Sequence, residues 1–192
     1  FFVQIFTANT HTPVLFFSTQ GLAYKIKSHK IPEGTSVSKG KSIFNILPLK
    51  SHHSISSIMP LPEDESEWKK LMIVFATSKG NVRKNTLEDF VNINNSGKIA
   101  MKLDQDDKII GVKICNDDQD ILLSTQFGKC IRFKSKKLRL FKGRSSKGIK
   151  GIQLNEKDKV ISLSILDNSK IDSKTISKNK KIKNGVDRFI LS

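Results

Sequence analysis

The fold is decided by the stretch LMIVFATSKGNVRKNT, residues 71–86. Its uninterrupted apolar run, residues 71–76, predicts a strand that is buried on both faces. Thr77 and Gly80 then bound a short polar segment that is typical of a tight hairpin turn. A second strand is predicted to return after Gly80, with a basic side chain at Lys84. The stretch is therefore a predicted β-hairpin.

The same pattern recurs along the chain. The repeated motif is a Ser or Thr, two variable residues and a Gly, and it follows an apolar run. It occurs at residues 18–21, 77–80 and 125–128. A polar loop with a second glycine follows each hairpin, at Gly40, Gly97 and Gly148. Two further predicted strands close each unit, for example 99–103 with 109–114, and 149–154 with 160–165. Four strands in a repeat of about 50 residues are typical of a propeller blade. We therefore predict an all-β, propeller-like array of four-stranded blades, incomplete at both ends.

The repeats also predict how the chain is divided. We expect a closing strand of a preceding blade at 1–10, blades at 11–62, 71–116 and 117–166, an acidic insertion at 63–70, a flexible Lys/Ser/Asn-rich loop at 167–186, and the first strand of a further blade at 187–192. We accordingly expect the chain to begin and end inside a longer repeat array.

Charge indicates the class of partner. The chain has 34 Lys and Arg against 18 Asp and Glu, a net charge of +16, which favours a polyanion. Nucleic acid is favoured over a membrane surface because there is neither an apolar run of about 18 residues nor a basic amphipathic helix. No base-reading helix is apparent, so we expect duplex DNA to be held by its phosphates with little sequence specificity.

Basic residues recur at fixed places in the repeat. Four positions after each turn glycine stand Lys25, Lys84 and Arg132, and Ser and Lys residues surround each second glycine, a set that commonly contacts phosphates. Acidic residues fall elsewhere, at 63–67, 104–107 and 117–120, which favours a one-sided basic rim. The predicted DNA-binding residues are Lys25, Lys27, Lys39, Lys41, Lys79, Arg83, Lys84, Lys98, Lys129, Arg132, Lys134, Lys142, Arg144, Lys147 and Lys150.

The sequence gives little support for a disulfide, a metal site, a nucleotide-binding loop or a catalytic residue. Cys115 and Cys130 form no C-x-x-C pair, which suits a reducing cytoplasm. His52 and His53 lack a second ligand pair at metal spacing, and the glycine spacing in residues 34–42 does not fit a nucleotide-binding loop. Tyr24 and most Phe residues lie in strand patterns that predict packing. We expect no catalytic residue, cofactor or metal in this chain.

Several stretches resemble the C-terminal DNA-wrapping domain of DNA gyrase A, a propeller-like array called a β-pinwheel. The residues that carry the resemblance are 8–11, 43–49, 76–84, 97–103, 148–154 and 157–160. The match runs along nearly the whole chain, although the family's glutamine-, arginine- and glycine-rich box has no counterpart in it. The segment from 167 to 185 is also more lysine-rich than the family pattern.

The resemblance implies a function at the level of a larger enzyme. It implies that a basic outer rim wraps duplex DNA and so supports ATP-dependent negative supercoiling by a type II DNA topoisomerase in the bacterial cytoplasm, on the chromosome. It also implies that the catalytic residues, ATP and Mg²⁺ belong to other domains, and that the partners are DNA gyrase B and the rest of DNA gyrase A in a heterotetramer.

Two alternatives remain open at this point. The related C-terminal domain of topoisomerase IV has similar blades and lacks the box. A propeller-like scaffold could also bind an acidic protein through the same basic residues, because charge alone does not distinguish polyanions.

Overall fold

The computed structural model describes residues 5–35, 37–50 and 53–167, together with the backbone of 187–190. Its strands are β1 (Pro13–Ser18), β2 (Leu22–Lys27), β3 (Ile55–Pro60), β4 (Met72–Thr77), β5 (Asn81–Thr86), β6 (Lys98–Ile99), β7 (Ile109–Cys115), β8 (Asp120–Thr125), β9 (Lys129–Lys134), β10 (Ile149–Lys150), β11 (Val160–Leu166) and β12 (Asp187–Ile190). Short 3-10 helices span Ser28–Lys30, Ile43–Asn45, Glu65–Lys70, Leu87–Phe90 and Ser135–Lys137.

The three predicted hairpins are confirmed, and all three have the same turn motif. The hairpins are β1–β2, β4–β5 and β8–β9, all antiparallel. In each turn the Ser or Thr side-chain oxygen accepts the first N–H of the returning strand, from Leu22 to Ser18 at 3.0 Å, from Asn81 to Thr77 at 3.2 Å and from Lys129 to Thr125 at 3.1 Å. The turn glycine has positive φ, for example +81° at Gly80, which is why glycine stands there.

Strand exchange joins successive repeats into three four-stranded sheets. Their strand orders are β3-β1-β2-β6, β10-β5-β4-β7 and β11-β8-β9-β12. The short strand β6 comes from the second repeat but pairs with β2 of the first, and β10 pairs in the same way with β5. The prediction that 99–103 and 149–154 close their own units is therefore wrong. The physical reason is that the second strand of each hairpin has a free backbone edge, which the following repeat fills.

The chain termini bear on the predicted repeat boundaries. Strand β12 pairs with β9 and takes the place in the third sheet that β6 and β10 take in the others. Residues 187–190, predicted as the start of a further blade, therefore lie at the outer edge of the third sheet. Residues 5–10 form no strand, while 1–4 lie outside the described residues. The predicted flexible loop at 167–186 also lies outside them, except for Asp167.

The sheets pack face to face through apolar side chains. Phe17 of the first sheet meets Phe75 of the second edge-to-face, with ring centroids 5.5 Å apart. Val74 and Val82 of the second sheet share a buried cluster with Leu123 of the third. Strand β7 contacts both β3 and β11, so these three strands form the inner edges of the stacked sheets. Strands β6, β10 and β12 then form the outer edges.

The acidic insertion is part of the core, which its composition did not predict. Asp64 caps the 3-10 helix Glu65–Lys70 by accepting the Ser66 N–H at 2.9 Å. Trp68 in this helix is fully buried and its Nε1 donates to the Pro62 carbonyl at 3.0 Å. The insertion therefore contributes to the apolar cluster between the first two sheets.

Candidate nucleic-acid interface

The basic residues that follow each turn glycine are mostly engaged inside the molecule. Arg83 is 0% and Lys84 3% exposed, so the prediction that these two charges face an exposed rim is wrong. Lys25 pairs with Glu65 at 2.7 Å, and Arg132 Nε pairs with Asp120 at 2.6 Å. The second strand of each hairpin lies between the first strand and an exchanged outer strand, which leaves little of it open to solvent.

Lys84 holds the second repeat to the third. Its Nζ donates to the carboxylate of Asp117 and to the carbonyl oxygen of Ser135, both at 2.9 Å. Its own carbonyl oxygen accepts the N–H of Phe141 at 2.8 Å. A buried ammonium group with these partners is satisfied within the protein, so Lys84 has a structural role in this geometry.

Arg83 connects the outer segments of two repeats. Its Nη1 donates to the carbonyl oxygens of Ala100 at 3.3 Å, Arg144 at 2.6 Å and Ser146 at 3.0 Å, and its Nη2 donates to that of Gly143. Burial lowers the pKa of Arg83 to about 10, so the guanidinium stays charged at neutral pH. Because three of these four carbonyl groups belong to the basic loop 141–148, Arg83 fixes the backbone of that loop.

Asn85 reinforces the same loop. Its Nδ2 donates to the carbonyl oxygens of Phe141 at 3.0 Å and Gly143 at 2.7 Å, and to Asp89 at 2.7 Å. Asn85 is fully buried. Two buried polar side chains of β5, Arg83 and Asn85, therefore hold the backbone of the loop that carries Lys142, Arg144 and Lys147.

Five predicted residues are brought together at the outer edges, and we call them the basic edge. The basic edge consists of Lys79, Lys98, Arg144, Lys147 and Lys150. Lys150 Nζ donates to the Lys79 carbonyl oxygen at 2.8 Å, and Lys147 forms an ion pair with Asp104. The hydrogen bond from Lys147, aided by the nearby charges of Lys147, Lys79 and Lys150, lowers the pKa of Asp104. Strand exchange thus gathers cations from two repeats in one place.

Lys98 and Arg144 form the other half of the basic edge. Lys98 Nζ donates to the Asn92 carbonyl oxygen. Its pKa is lowered, first by desolvation and then by the positive charge of Arg144. Two cations held near one another in this way favour an anion between them.

The remaining predicted residues do not share the contacts that join the basic edge. Lys27, Lys39, Lys41, Lys134 and Lys142 are exposed on loops or strand ends. Lys129 is half-buried and its Nζ donates to Asn155 at 2.5 Å. These residues add to the positive field but are not gathered with the basic edge.

Two residues at the interface were not predicted as site residues, Ser146 and Asn85. Ser146 belongs to the Ser-Lys-Gly pattern around Gly148, which was the available signal. Asn85 belongs to the run of four polar residues, 83–86, that follows Val82, and this run could have indicated a buried polar network within a strand.

Neither a metal site nor a membrane-spanning helix accompanies this interface in the described residues. Within these ranges, no three His, Cys, Asp or Glu side chains approach closely enough to hold a metal ion. No helix in the described part of the chain is long and apolar enough to cross a membrane. Both cysteines are free and buried.

Comparison with known sequences identifies relatives along most of the chain. The model of the DNA gyrase C-terminal domain, a beta-propeller, matches residues 12–62, 71–116 and 119–167. DNA gyrase A of Rickettsia bellii is 50% identical over 163 residues, which cover 85% of this chain and 18% of the relative. DNA gyrase A of Staphylococcus epidermidis is 39% identical over 172 residues, which cover 90% of this chain and 19% of the relative. The chain thus spans less than a fifth of the length of these curated relatives.

Solved structures show the same fold. The C-terminal domain of DNA topoisomerase IV superposes with a TM-score of 0.74 at 24% identity, over 83% of this chain and 49% of that chain. The DNA gyrase A C-terminal domain superposes with a TM-score of 0.63 at 23% identity, over 81% of this chain and 48% of that chain. These likenesses confirm the predicted all-β, propeller-like architecture. Since the family model matches three successive repeats that make up most of the sequence, the chain belongs to the DNA gyrase C-terminal domain family of β-propellers.

Proposed function

We propose that this chain binds duplex DNA along its basic edge and bends it, without reading its sequence, as part of DNA gyrase A. The observation that carries the proposal is the basic edge itself. Strand exchange brings together Lys79 and Lys98 of the second repeat with Arg144, Lys147 and Lys150 of the third. The chain also has a net charge of +16, which draws a polyanion from a distance.

Phosphate contacts can supply the energy that bending requires. Smoothly bending a duplex site of 20–30 base pairs costs about 1–6 kcal/mol. Each phosphate neutralised by Lys or Arg releases condensed counterions, which offsets that cost. The outer strands β6 and β10 have only two residues each and present lysine and backbone groups, a set suited to phosphates and not to base edges.

At the level of the whole protein, we propose that the chain serves a type II topoisomerase. The relatives that support this are DNA gyrase A proteins. In this proposal the chain contributes DNA binding to ATP-dependent supercoiling, while ATP, Mg²⁺ and the cleaving residues belong to other domains and to DNA gyrase B. The complex would act on the chromosome in the bacterial cytoplasm.

The similarity to the topoisomerase IV C-terminal domain supports a second candidate function. That domain superposes with the higher of the two TM-scores, 0.74. The two candidates differ in whether the protein wraps DNA. When a nicked circle is sealed while DNA is wrapped around a protein, the sealed circle keeps a changed linking number, which is the linking difference. A linking difference proportional to bound protein would favour the gyrase function. Binding without one would favour the topoisomerase IV function.

Duplex affinity across a salt series tests the proposal. The test variant is Lys98→Gln/Lys147→Gln/Lys150→Gln, and the matched control is Lys69→Gln/Lys70→Gln/Lys113→Gln. The control removes the same charge from exposed residues, two on the 3-10 helix Glu65–Lys70 and one on the inner strand β7.

The proposal predicts a linear fall of log K with log salt for the parent protein. The slope should flatten by about 2–3 in the basic-edge variant, since each lost phosphate contact removes about 0.9. The control variant should change the slope much less. Equal changes in the two variants would contradict the proposal, and weak duplex binding in the parent would favour an acidic protein as the partner.

A further inference from the structure

Three hydrogen-bond donors beside the basic edge lack partners in the described structure, as does the acceptor Asn85 Oδ1 beneath the basic loop 141–148. The donors are Arg144 Nη1, Ser146 Oγ and Arg83 Nε, and all three atoms are buried. Buried polar atoms in folded proteins are nearly always hydrogen-bonded, so unpartnered donors mark a place where a ligand is expected. Two of the three lie on the basic loop 141–148, only two residues apart.

The charges around these atoms are unbalanced. The positive charge of Arg144 acts on both Arg83 and Lys98 and disfavours their protonated forms. The carboxylate that acts on the same two groups is Asp89, and it already accepts a hydrogen bond from Asn85 at 2.7 Å. Arg83 and Lys98 therefore share one carboxylate while both are repelled by Arg144, and a bound anion would relieve this repulsion.

The donors are also held in place before any ligand arrives. Arg83 binds the carbonyl oxygens of Arg144 and Ser146, on the same residues that carry the unpartnered side-chain atoms. Lys98 belongs to β6, which is paired with β2. Its ammonium group donates to Asn92 and has further donors available. Fixed donors bind more tightly because little conformational entropy is lost on binding.

We propose that Lys98, Arg144 and Ser146 form a pre-built site for one phosphate group, between the outer strand of the first sheet and the loop that leads to the outer strand of the second. Arg83 is a positioning residue for this site. Guanidinium, hydroxyl and ammonium donors together suit the several acceptor oxygens of a phosphate. The assignment of this phosphate to the backbone of duplex DNA rests on the proposed function.

Ser146→Ala is the decisive variant because the hydroxyl group makes no hydrogen bond in the described structure. Removing an unpartnered buried polar atom should leave the melting temperature unchanged or slightly raised. The same change should weaken phosphate binding by about tenfold, because one charge-assisted hydrogen bond is lost. Arg144→Gln should weaken it at least as much. Lys142→Gln is the control, because Lys142 is exposed on the same loop.

The probe is inorganic phosphate, titrated against chloride at constant ionic strength and followed by backbone amide chemical shifts. The proposal predicts saturable shifts centred on Lys98 and residues 144–147, reduced in Ser146→Ala and Arg144→Gln and retained in Lys142→Gln. Shifts that never saturate, or that spread evenly over exposed lysines, would overturn it. So would a Ser146→Ala variant that binds phosphate like the parent.

A second titration with a short duplex separates this site from the proposed function. A loss of duplex affinity in Ser146→Ala that accompanies its loss of phosphate affinity supports the proposal. Duplex binding by a protein that shows no saturable phosphate binding overturns the site and leaves the proposed function standing. Phosphate binding without duplex binding overturns the assignment to DNA and the proposed function with it.

Discussion

Gly148→Ala should destabilise the protein much more than Gly143→Ala, although both glycines have the same φ of +79°. An alanine in this left-handed region costs about 1–2 kcal/mol for backbone strain alone. At Gly143 a new Cβ would meet nothing within 4 Å, so only that strain applies. At Gly148 it would fall on the carbonyl oxygen of Val82 and lie 3.0 Å from Arg83 Cβ.

The extra cost at Gly148 follows from the strand pairing. Val82 is the partner of Ile149 where β10 joins β5, so relief of the clash requires β10 to move away. Separating the two strands leaves buried backbone groups without partners, at about 1–3 kcal/mol for each group. We therefore expect a loss of about 1–2 kcal/mol for Gly143→Ala and about 3–5 kcal/mol for Gly148→Ala.

Urea unfolding at 25 °C measures both values by linear extrapolation, provided that the slope m is the same in the two variants. Gly148→Ala should also weaken duplex binding, because β10 carries Lys150. Equal losses of stability in the two variants would refute the close approach of β10 to β5, and with it the strand exchange that forms the basic edge.

Three further predictions concern the hairpins and the core. Trp68→Ala should lower the free energy of unfolding by about 3–5 kcal/mol, because Trp68 is fully buried. Urea unfolding measures this loss, and a loss below about 1 kcal/mol would mean that the insertion is peripheral to the core. Thr77→Val should lower the free energy of unfolding by about 1–2 kcal/mol in the same assay, because the Asn81 N–H loses its acceptor while the side-chain volume is kept. An unchanged free energy of unfolding would show that the turn does not depend on this hydrogen bond. Burial raises the pKa of the Cys115 thiol, so above about pH 8.5 the unfolded chain loses a proton that the folded protein keeps, and stability should fall with rising pH. Cys115→Ala should show a shallower fall in unfolding measurements between about pH 7 and 10, and an identical fall would contradict the assignment.

The hairpins could be predicted from sequence because their determinants are local. A Ser or Thr, two residues and a glycine contain the turn, its positive φ and the side-chain acceptor within four consecutive positions. The apolar runs before them, such as 71–76, give the buried central strands. All of this information lies within one short stretch of chain.

Strand exchange could not be predicted because its partners are distant in sequence and its strands are short. Ile99 pairs with Leu22 and Ile149 with Val82, and the outer strands β6 and β10 have only two residues each, too few to show a pattern. The burial of Arg83 was missed for the same reason. Its acceptors are carbonyl oxygens of residues 100, 143, 144 and 146, which no pattern around position 83 reveals.

The basic edge was predicted in part. Lysines around Gly97 and Gly148 stand out by their repetition, and strand exchange explains why this repetition brings them together. Lys84, which also stands at a repeated position, is instead buried against Asp117, because a position in a stacked array can be repeated for packing as well as for binding.

Lysine acetylation footprinting with and without duplex DNA is the sharpest test of DNA binding along the basic edge, because each lysine reports its own accessibility in mass spectra. We predict that DNA protects Lys79, Lys98, Lys147 and Lys150, and leaves Lys69, Lys70 and Lys113 as reactive as in the free protein. Protection of Lys113 on the inner strand without protection of Lys98, Lys147 and Lys150 would contradict binding along the basic edge.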